Sequence, residues 1–285
     1  MQSFSGRVAA ITGAGSGIGR QLAVQLADAG AHLALADIDE AGLAGTVALC
    51  EGKGVKVTAQ RLDVAQRPAV EAWADAVVAD HGKVNLVVNN AGVGLAAPIS
   101  AMSYDDFEWL MGINFWGVVY GTKAFLPHLQ AAGEGHIVNV SSVFGLLSMP
   151  AQSAYNAAKF AVRGFTDALR IELEAEGSGV SSTPVHPGGI RTNIARNARI
   201  DPSLAGTGAD AANFDRIART KPEKAARVIL AAVKADKRRV LVGPDAKVLD
   251  LVSRLPAGMY QRVVIAGARR RRPAQTPVRS ASKAL

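Results

Sequence analysis

Residues 12–19 read Thr-Gly-Ala-Gly-Ser-Gly-Ile-Gly, a stretch that places a glycine at every second position. The apolar run Arg7–Thr12 before it reads as a β-strand, and the segment after it reads as a helix through Ala29. Glycines at such a junction admit positive φ and let another group approach the backbone closely. The N–H groups that open a helix have no partners within it and face outward as anion donors. A glycine string alone also suits a purely structural turn. Between a strand and a helix it instead marks the first βαβ unit of a nucleotide-binding sheet.

The rest of the chain agrees. Further strands are expected at His32–Ala36, Val55–Leu62, Val84–Asn89, His136–Ser141, Val180–Val185 and Arg239–Val242, seven in all with the first. Helical segments lie between them, among them Arg67–Asp80, Tyr104–His128 and Ser153–Glu176. Strands alternating with helices predict an α/β fold of Rossmann type: a doubly wound, parallel, seven-stranded sheet with helices on both faces. The near-continuous apolar character of the strands fits burial on both faces, with Val180–Val185 the most diluted by Ser181, Ser182 and Thr183.

Asp37 ends the second strand, 24 positions beyond Gly13. Its carboxylate can accept hydrogen bonds from both hydroxyls of an adenosine ribose, and it repels the extra phosphate of NADP, about −1.5 to −2 in charge. Asp39 and Glu40 add negative charge, no Lys or Arg follows Asp37 closely, and Ser16 is neutral where a basic residue would hold that phosphate. NAD is therefore the expected cofactor, with NADP second. Arg20 argues the other way, although its structural reading is a solvated helix residue. Gly13, Ser16, Gly17, Ile18, Gly19 and Asp37 are the cofactor-binding candidates of this half.

Net charge at first suggests other partners. The chain carries +8, from 32 Lys+Arg against 24 Asp+Glu. Residues 1–220 hold 16 basic and 20 acidic residues, whereas residues 221–285 hold 16 basic and 4 acidic. The basicity belongs to the C-terminal region, and the body is mildly acidic. With 49% apolar and 20% charged residues the chain can bury a sizeable core, which excludes wholesale disorder. Cys50 is the single cysteine, so no intrachain disulfide forms, and it reads as a small apolar helix residue. No leader peptide or spanning segment is visible, and a cytoplasmic location is expected. No His/Cys/Asp/Glu grouping has metal-ligand spacing, so no catalytic metal is expected.

A second constellation lies downstream. Tyr155 and Lys159 stand four apart on one face of a predicted helix. Ser142 lies 13 residues before Tyr155, just past a strand end, at the edge where a doubly wound sheet holds its ligand. Asn114 is a polar residue in a helix that should face the sheet. Asn89-Asn90-Ala91-Gly92 closes the fourth strand at that same edge.

With these motifs the chain resembles the short-chain dehydrogenase/reductase family, in its compact single-domain branch. Thr12–Gly19, Asp63-Val64, Asn89–Gly92, Asn114, Ser142, Tyr155 with Lys159, and Pro187-Gly188 occur in the family's order across about residues 6–245. The two-part branch usually has a glycine at the place of Ser16, and enoyl reductase relatives space Tyr and Lys farther apart, where Ala161 and Val162 stand here.

The resemblance implies roles. Tyr155 exchanges the alcohol proton while a hydride moves to or from the nicotinamide. A free phenol has a pKa of about 10, so service as a base near neutrality needs about 4 kcal/mol. One cation at ~4 Å in an effective dielectric of ~20 supplies about that much. Lys159 is that cation and also holds the nicotinamide ribose. Ser142 hydrogen-bonds the substrate oxygen, and Asn114 holds a water that links Lys159 to solvent. Asp63 and Val64 meet the adenine side, Asn90, Ala91 and Gly92 flank the cofactor, and Pro187, Gly188, Ile190 and Thr192 meet the nicotinamide end. Asp63 as a turn former and Thr192 as a helix cap are the structural alternatives. Ser141 competes with Ser142, and His186 reads as a pocket-wall or satisfied core histidine.

The expected activity is hydride transfer between NAD(H) and a hydrophobic secondary alcohol or ketone. A non-catalytic NAD(P)-binding regulatory protein of the same fold is the alternative. Val93, Leu95, Ser148, Met149 and Gln152 are expected to line the substrate pocket, with the irregular segment Asn193–Thr220 as its lid. Residues 1–245 read as one NAD-binding catalytic domain, and residues 246–285 as an amphipathic helix or two, interrupted at Pro256, followed by a basic tail that is disordered from Pro273 onward. A homodimer or homotetramer is expected through the Tyr104–His128 and Ser153–Glu176 helices. No nucleic-acid partner is expected, because no aromatic platform accompanies Arg269–Arg272. Weak peripheral membrane contact is the alternative to a merely solvated tail.

Overall fold

The computed structural model describes residues 1–205, 216, 218–256 and 258–271. In chain order the elements are β1 (Val8–Thr12), α1 (Gly17–Asp28), β2 (His32–Asp37), α2 (Glu40–Cys50), β3 (Val57–Arg61), α3 (Arg67–His81), β4 (Leu86–Asn89), β5 (Leu95–Ala96) and α4 (Tyr104–Met111). There follow a π-helical turn (Gly112–Trp116), α5 (Gly117–Ala131), β6 (Gly135–Val140), α6 (Ser153–Glu176), β7 (Val180–Pro187) and β8 (Arg199–Ile200). The chain then runs through α7 (Pro222–Lys234), β9 (Val240–Val242), α8 (Pro244–Ser253) and α9 (Met259–Arg271).

Seven strands form one sheet in the order β3-β2-β1-β4-β6-β7-β9, and every pairing in it is parallel. The strand order reverses between β1 and β4, so the carboxyl ends of these two strands border the crevice that a doubly wound sheet offers a ligand. Side chains alternate between the faces. Ala9 and Ile11, Leu33 and Leu35, Leu86 and Val88 pack with α1 and α7 residues such as Leu22, Leu26 and Ile229. Val8, Ala10, Ala34, Ala36, Val87 and Ile137 pack on the opposite face with Val70, Trp73, Phe125 and Leu169. Burial on both faces explains why the strands read as apolar runs, and β3, the outer strand, is the exception with Ala59, Gln60 and Arg61 exposed.

A polar layer crosses the second core. Asn89 Nδ2 donates to Asn139 Oδ1 at 2.8 Å and to Thr122 Oγ1 at 3.2 Å, and Asn139 Nδ2 donates to Thr166 Oγ1 at 3.0 Å. These groups join β4, α5, β6 and α6, and all are buried. In the low dielectric of a core such a closed set fixes one register, because any shift leaves a buried polar group unpaired. At the far end of α6, Arg170 grips both carboxylate oxygens of Asp236 at 2.9 and 2.8 Å and reaches the carbonyl of Ser182 at 3.1 Å, which holds the helix to β7.

Several expectations are corrected. The helix over 104–128 extends to Ala131 and holds a π turn at Gly112–Trp116. The segment 193–220 is not wholly irregular: Arg199–Ile200 pairs in parallel with Leu95–Ala96 as a second, two-stranded sheet. The apolar stretch after Asp245, by contrast, agrees with the expected helix or two interrupted at Pro256: it forms two helices, α8 and α9, separated there. The tail from Pro273 lies outside the described residues, as do 206–215, 217 and 257 within the chain.

Gly121 tests the polar layer. A Cβ added there would overlap Asn89 Oδ1. Gly121→Ala is therefore expected to lower the unfolding free energy by about 1–3 kcal/mol despite the better helix propensity of alanine. Urea denaturation reads this as an earlier midpoint with an unchanged slope.

Candidate active site

One cavity of about 1040 Å³ runs along the carboxyl edge of the sheet. At one end it is walled by Gly13, Ser16, Gly17, Ile18 and Asp37, and at the other by Ser142, Tyr155, Lys159, Met149 and Gln152. Asp63, Val64, Asn90, Ala91, Gly92, Val93, Leu95, Pro187, Gly188, Ile190 and Thr192 line it between or around these ends. Gly19 and Asn114 do not line it, and Ser148 is exposed outside it, contrary to its expected place in the pocket.

The glycine turn is seated by β4. Thr12 Oγ1 accepts from the backbone N–H groups of Asn90 at 3.0 Å and Ala91 at 3.2 Å. Asn90 Nδ2 returns donors to the carbonyls of Thr12 at 3.0 Å and Gly13 at 3.1 Å. A Cβ on Gly13 would stand 2.8 Å from Ala91 Cα, at a φ of +65°, so only glycine lets the two strand ends meet. Ser16 precedes α1 without a side-chain cap, and the first turn holds no acidic residue. The N–H groups opening α1 therefore keep their donor capacity beside the cavity, as a phosphate site requires.

Asp37 is half-buried, and its carboxylate already works within the protein. Oδ2 accepts from the N–H of Gly15 at 2.7 Å, and Oδ1 accepts from that of Asp39 at 2.9 Å. Arg20 is not the solvated residue its sequence context implied. Its guanidinium turns inward to the carbonyls of Gly15 and of Gly42, the latter at 3.1 Å, and to Thr46 Oγ1 at 3.0 Å.

At the other end α6 carries Tyr155 and Lys159 into the cavity wall. Lys159 is 3% exposed, donates from Nζ to the carbonyl of Val140 at 3.0 Å, and lies 5.6 Å from the centre of the Tyr155 ring. Phe144 meets that ring edge-on at 6.1 Å. Burial pushes the Tyr155 phenol up to about 12, against the pull of the Ser142 hydroxyl, and brings the Lys159 ammonium down to about 8. The serines divide: Ser141 Oγ donates to the carbonyl of Lys159 at 2.7 Å, while Ser142 Oγ accepts from the N–H of Phe144 at 3.1 Å and engages the Tyr155 phenol.

Asn114 sits in the π turn, fully buried. Its Oδ1 accepts from the N–H of Val93 at 2.8 Å and its Nδ2 donates to the carbonyl of Val93 at 2.9 Å. Both ends of the side-chain amide are thus engaged by the main chain of Val93, beside Gly92. A π turn rotates one residue out of helical register, and here it delivers that amide. His186 is buried and brought down to about 4, so its ring is neutral near pH 7. Nδ1 then donates to the carbonyl of Ser142 at 2.9 Å, while Nε2 has no partner, so this core histidine is only half satisfied. Asp63 Oδ1 accepts from the N–H of Ala65 at 3.0 Å, which makes Asp63 a turn former and a cavity residue at once. No helix follows Thr192 directly, and the residue instead stands over Gly17.

Sequence reasoning missed part of the wall. Phe144 and Leu147 contribute to it, and so do Asp245, Leu249, Val264 and Gly267. The last four come from the C-terminal stretch. Asp245 Oδ2 accepts from the N–H of Gly189 at 2.6 Å and so ties the start of α8 to the loop after β7. The apolar spacing of that stretch signals helices but not where they dock.

The burial of Lys159 has a measurable sign. Its folded value of about 8 lies below the ordinary 10.5, so between these values the unfolded chain binds more protons and stability rises with pH. Tyr155 reverses the trend only above its ordinary 10.0. Lys159→Met is expected to remove most of a rise of about 1–3 kcal/mol between pH 8 and 10. Urea unfolding at several pH values measures this.

Comparisons with known proteins agree with this geometry. A family model described as short chain dehydrogenase matches residues 7–203. The Mycobacterium tuberculosis protein SadH, which bears a provisional oxidoreductase name, is 52% identical over 272 residues, covering 94% of this chain and 97% of that protein. C alpha-dehydrogenase of Sphingobium sp. is 34% identical over 285 residues, covering 92% of this chain and 93% of that one. The crystal structure of a short chain dehydrogenase/reductase from Burkholderia phymatum in complex with NAD superposes with a TM-score of 0.81 at 35% identity, covering 88% of this chain and 94% of that chain. With the glycine turn, the seven-stranded sheet and these matches together, the chain belongs to the short-chain dehydrogenase/reductase family of oxidoreductases.

Proposed function

We propose that this oxidoreductase transfers a hydride between NAD(H) and a hydrophobic secondary alcohol or ketone, with Tyr155 as general acid/base. The observation that carries the reading is the single cavity joining the uncapped start of α1 to the Ser142, Tyr155 and Lys159 wall. The residues fit a dinucleotide: glycine backbone and helix N–H groups at one end, a carboxylate at the strand end beyond, and a cation with two hydroxyls at the other. Gly13, Gly17, Ile18 and Asp37 would hold the adenosine and pyrophosphate portion, and Lys159, Ile190 and Thr192 the nicotinamide portion. When bound, the cofactor supplies the hydride acceptor or donor.

A phenol held near 12 is a proton donor at neutral pH, suited to delivering a proton to a developing alkoxide. Its use as a base needs positive charge beside it, and Lys159, near 8, stays largely protonated at pH 7. Ser142 stands beside the Tyr155 phenol, where its O–H would turn to the substrate oxygen once a substrate is bound. Val93, Leu95, Leu147, Met149, Ile194 and Val264 make the wall near this end apolar, which favours a hydrophobic substrate. Arg20 turns its guanidinium inward to main-chain carbonyls, and the Asp37 carboxylate lines the cavity, which favours NAD over NADP. Assembly into a homodimer or homotetramer is supported by Trp116, Phe160 and Ile171, exposed on the expected helices.

Tyr155→Phe is expected to lower kcat/KM about 10²–10⁴-fold while leaving the fold intact. An alcohol and carbonyl panel followed at the NADH absorbance measures this, and a fully active variant would overturn the assignment. In the same assay the chain is expected to prefer NAD over NADP by tenfold or more. Asp37→Asn should cut that ratio about tenfold, in line with one lost charge–phosphate repulsion of about 1.4 kcal/mol. A native preference for NADP sinks the reading of Asp37.

A further inference from the structure

The two C-terminal helices have a second face that catalysis does not use. Leu249 and Val264 point into the cavity wall, while Val248, Leu251 and Leu255 around α8 and Met259, Val263 and Ile265 on α9 are 39–68% exposed. Scattered apolar side chains on a surface need no explanation, but Val248 and Leu251 stand three apart on α8 and Met259 and Val263 four apart on α9, so each helix turns an exposed apolar pair to one side. The sequence of this stretch is strongly basic. From residue 247 to 272 the sequence holds Lys247, Arg254, Arg262 and the four arginines 269–272, against a single acid, Asp250. Asp250 is buried and paired with Arg239 and Arg254, both at 3.1 Å, so it offers no negative charge to a partner.

This pattern selects the occupant. A second copy docking through the same helices would bring two strongly basic stretches of sequence together, and like charges across an interface disfavour it. An anionic lipid surface matches both properties: hydrocarbon for the exposed side chains and negative headgroups for the basic sequence that holds and follows them. No helix among the described residues is long and apolar enough to cross a membrane, so contact of this kind lies in the interface. We propose that the α8–α9 face docks on an anionic lipid bilayer, which sets the cavity wall formed by Leu249 and Val264 against the membrane.

Vesicle flotation of the full chain tests this without any turnover, so its result is independent of the hydride chemistry. Vesicles of phosphatidylcholine alone are compared with vesicles containing phosphatidylglycerol, at low salt and at about 1 M salt, where charge is screened beyond about 3 Å. The chain is expected to float with the anionic vesicles only, and to be released by the salt. Leu251→Glu and Val263→Glu change exposed side chains outside the cavity wall and should each reduce the floated fraction at least tenfold, with oxidoreductase activity on a water-soluble alcohol unchanged. Replacing the arginines at 269–272 with glutamine should do the same. Failure to float, equal flotation on neutral vesicles, or flotation indifferent to both substitutions overturns the proposal. Loss of a dimer in sedimentation of Leu251→Glu, without vesicle binding by the parent chain, assigns the patch to a second copy and overturns it too.

Discussion

The close approach of β1 and β4 at their carboxyl ends is the constraint on which the site depends. Gly13 passes Ala91 with no room for a side chain, and four hydrogen bonds cross the gap from Asn90 and Ala91 to Thr12 and Gly13. That seam, built by Thr12 and Gly13 on one side and Asn90 and Ala91 on the other, fixes where α1 begins, so the unpaired N–H groups of its first turn open onto the cavity. It also fixes Gly92 and Val93, which lead away from β4 toward Asn114 and Lys159. The polar layer of Asn89, Thr122, Asn139 and Thr166 extends the same logic into the core, holding β4 and β6 in one register beneath the catalytic wall.

The wall at the Tyr155 end is costly to build. Two titratable groups are buried together there, and each is displaced toward its neutral form. Such displacement is what a proton-transferring pair requires, and it makes this part of the chain a net burden on folding. The rest of α6 compensates through its grip on the sheet, where Arg170 binds Asp236 with both nitrogens of its fork.

Local pattern made the sheet, its seven strands and the two ends of the site legible. The glycine turn, Asp37, and the spacing of Ser142, Tyr155 and Lys159 each follow from chemistry that acts within a few residues or across one strand end. Features set by distant parts of the chain were not legible. Nothing local to Arg20 says that it will bond to Gly15 and Gly42, because Gly42 reaches it only after β2 and α2 fold back. The pairing of Arg199–Ile200 with Leu95–Ala96 joins segments about a hundred residues apart that carry almost no strand pattern of their own. Leu249 and Val264 were visible as apolar helix positions, yet their place in the cavity wall depends on the turn around Pro256 and on Asp245 holding Gly189. Asn114 is an intermediate case: its polarity on a buried helix marked it, while the π turn that aims it at Val93 left no sequence trace.

The double engagement of Asp37 with Gly15 and Asp39 bears on redesign. A residue that reads the ribose in many designs can be exchanged as a single module, but here the same carboxylate also braces the phosphate loop. Replacing it with a small neutral residue to admit NADP would loosen the loop that must hold the pyrophosphate of either dinucleotide. A cofactor switch in this scaffold therefore needs a second change that restores an acceptor for the Gly15 N–H, such as a threonine or serine near residue 37. Recognition and loop architecture would have to be re-engineered as one unit.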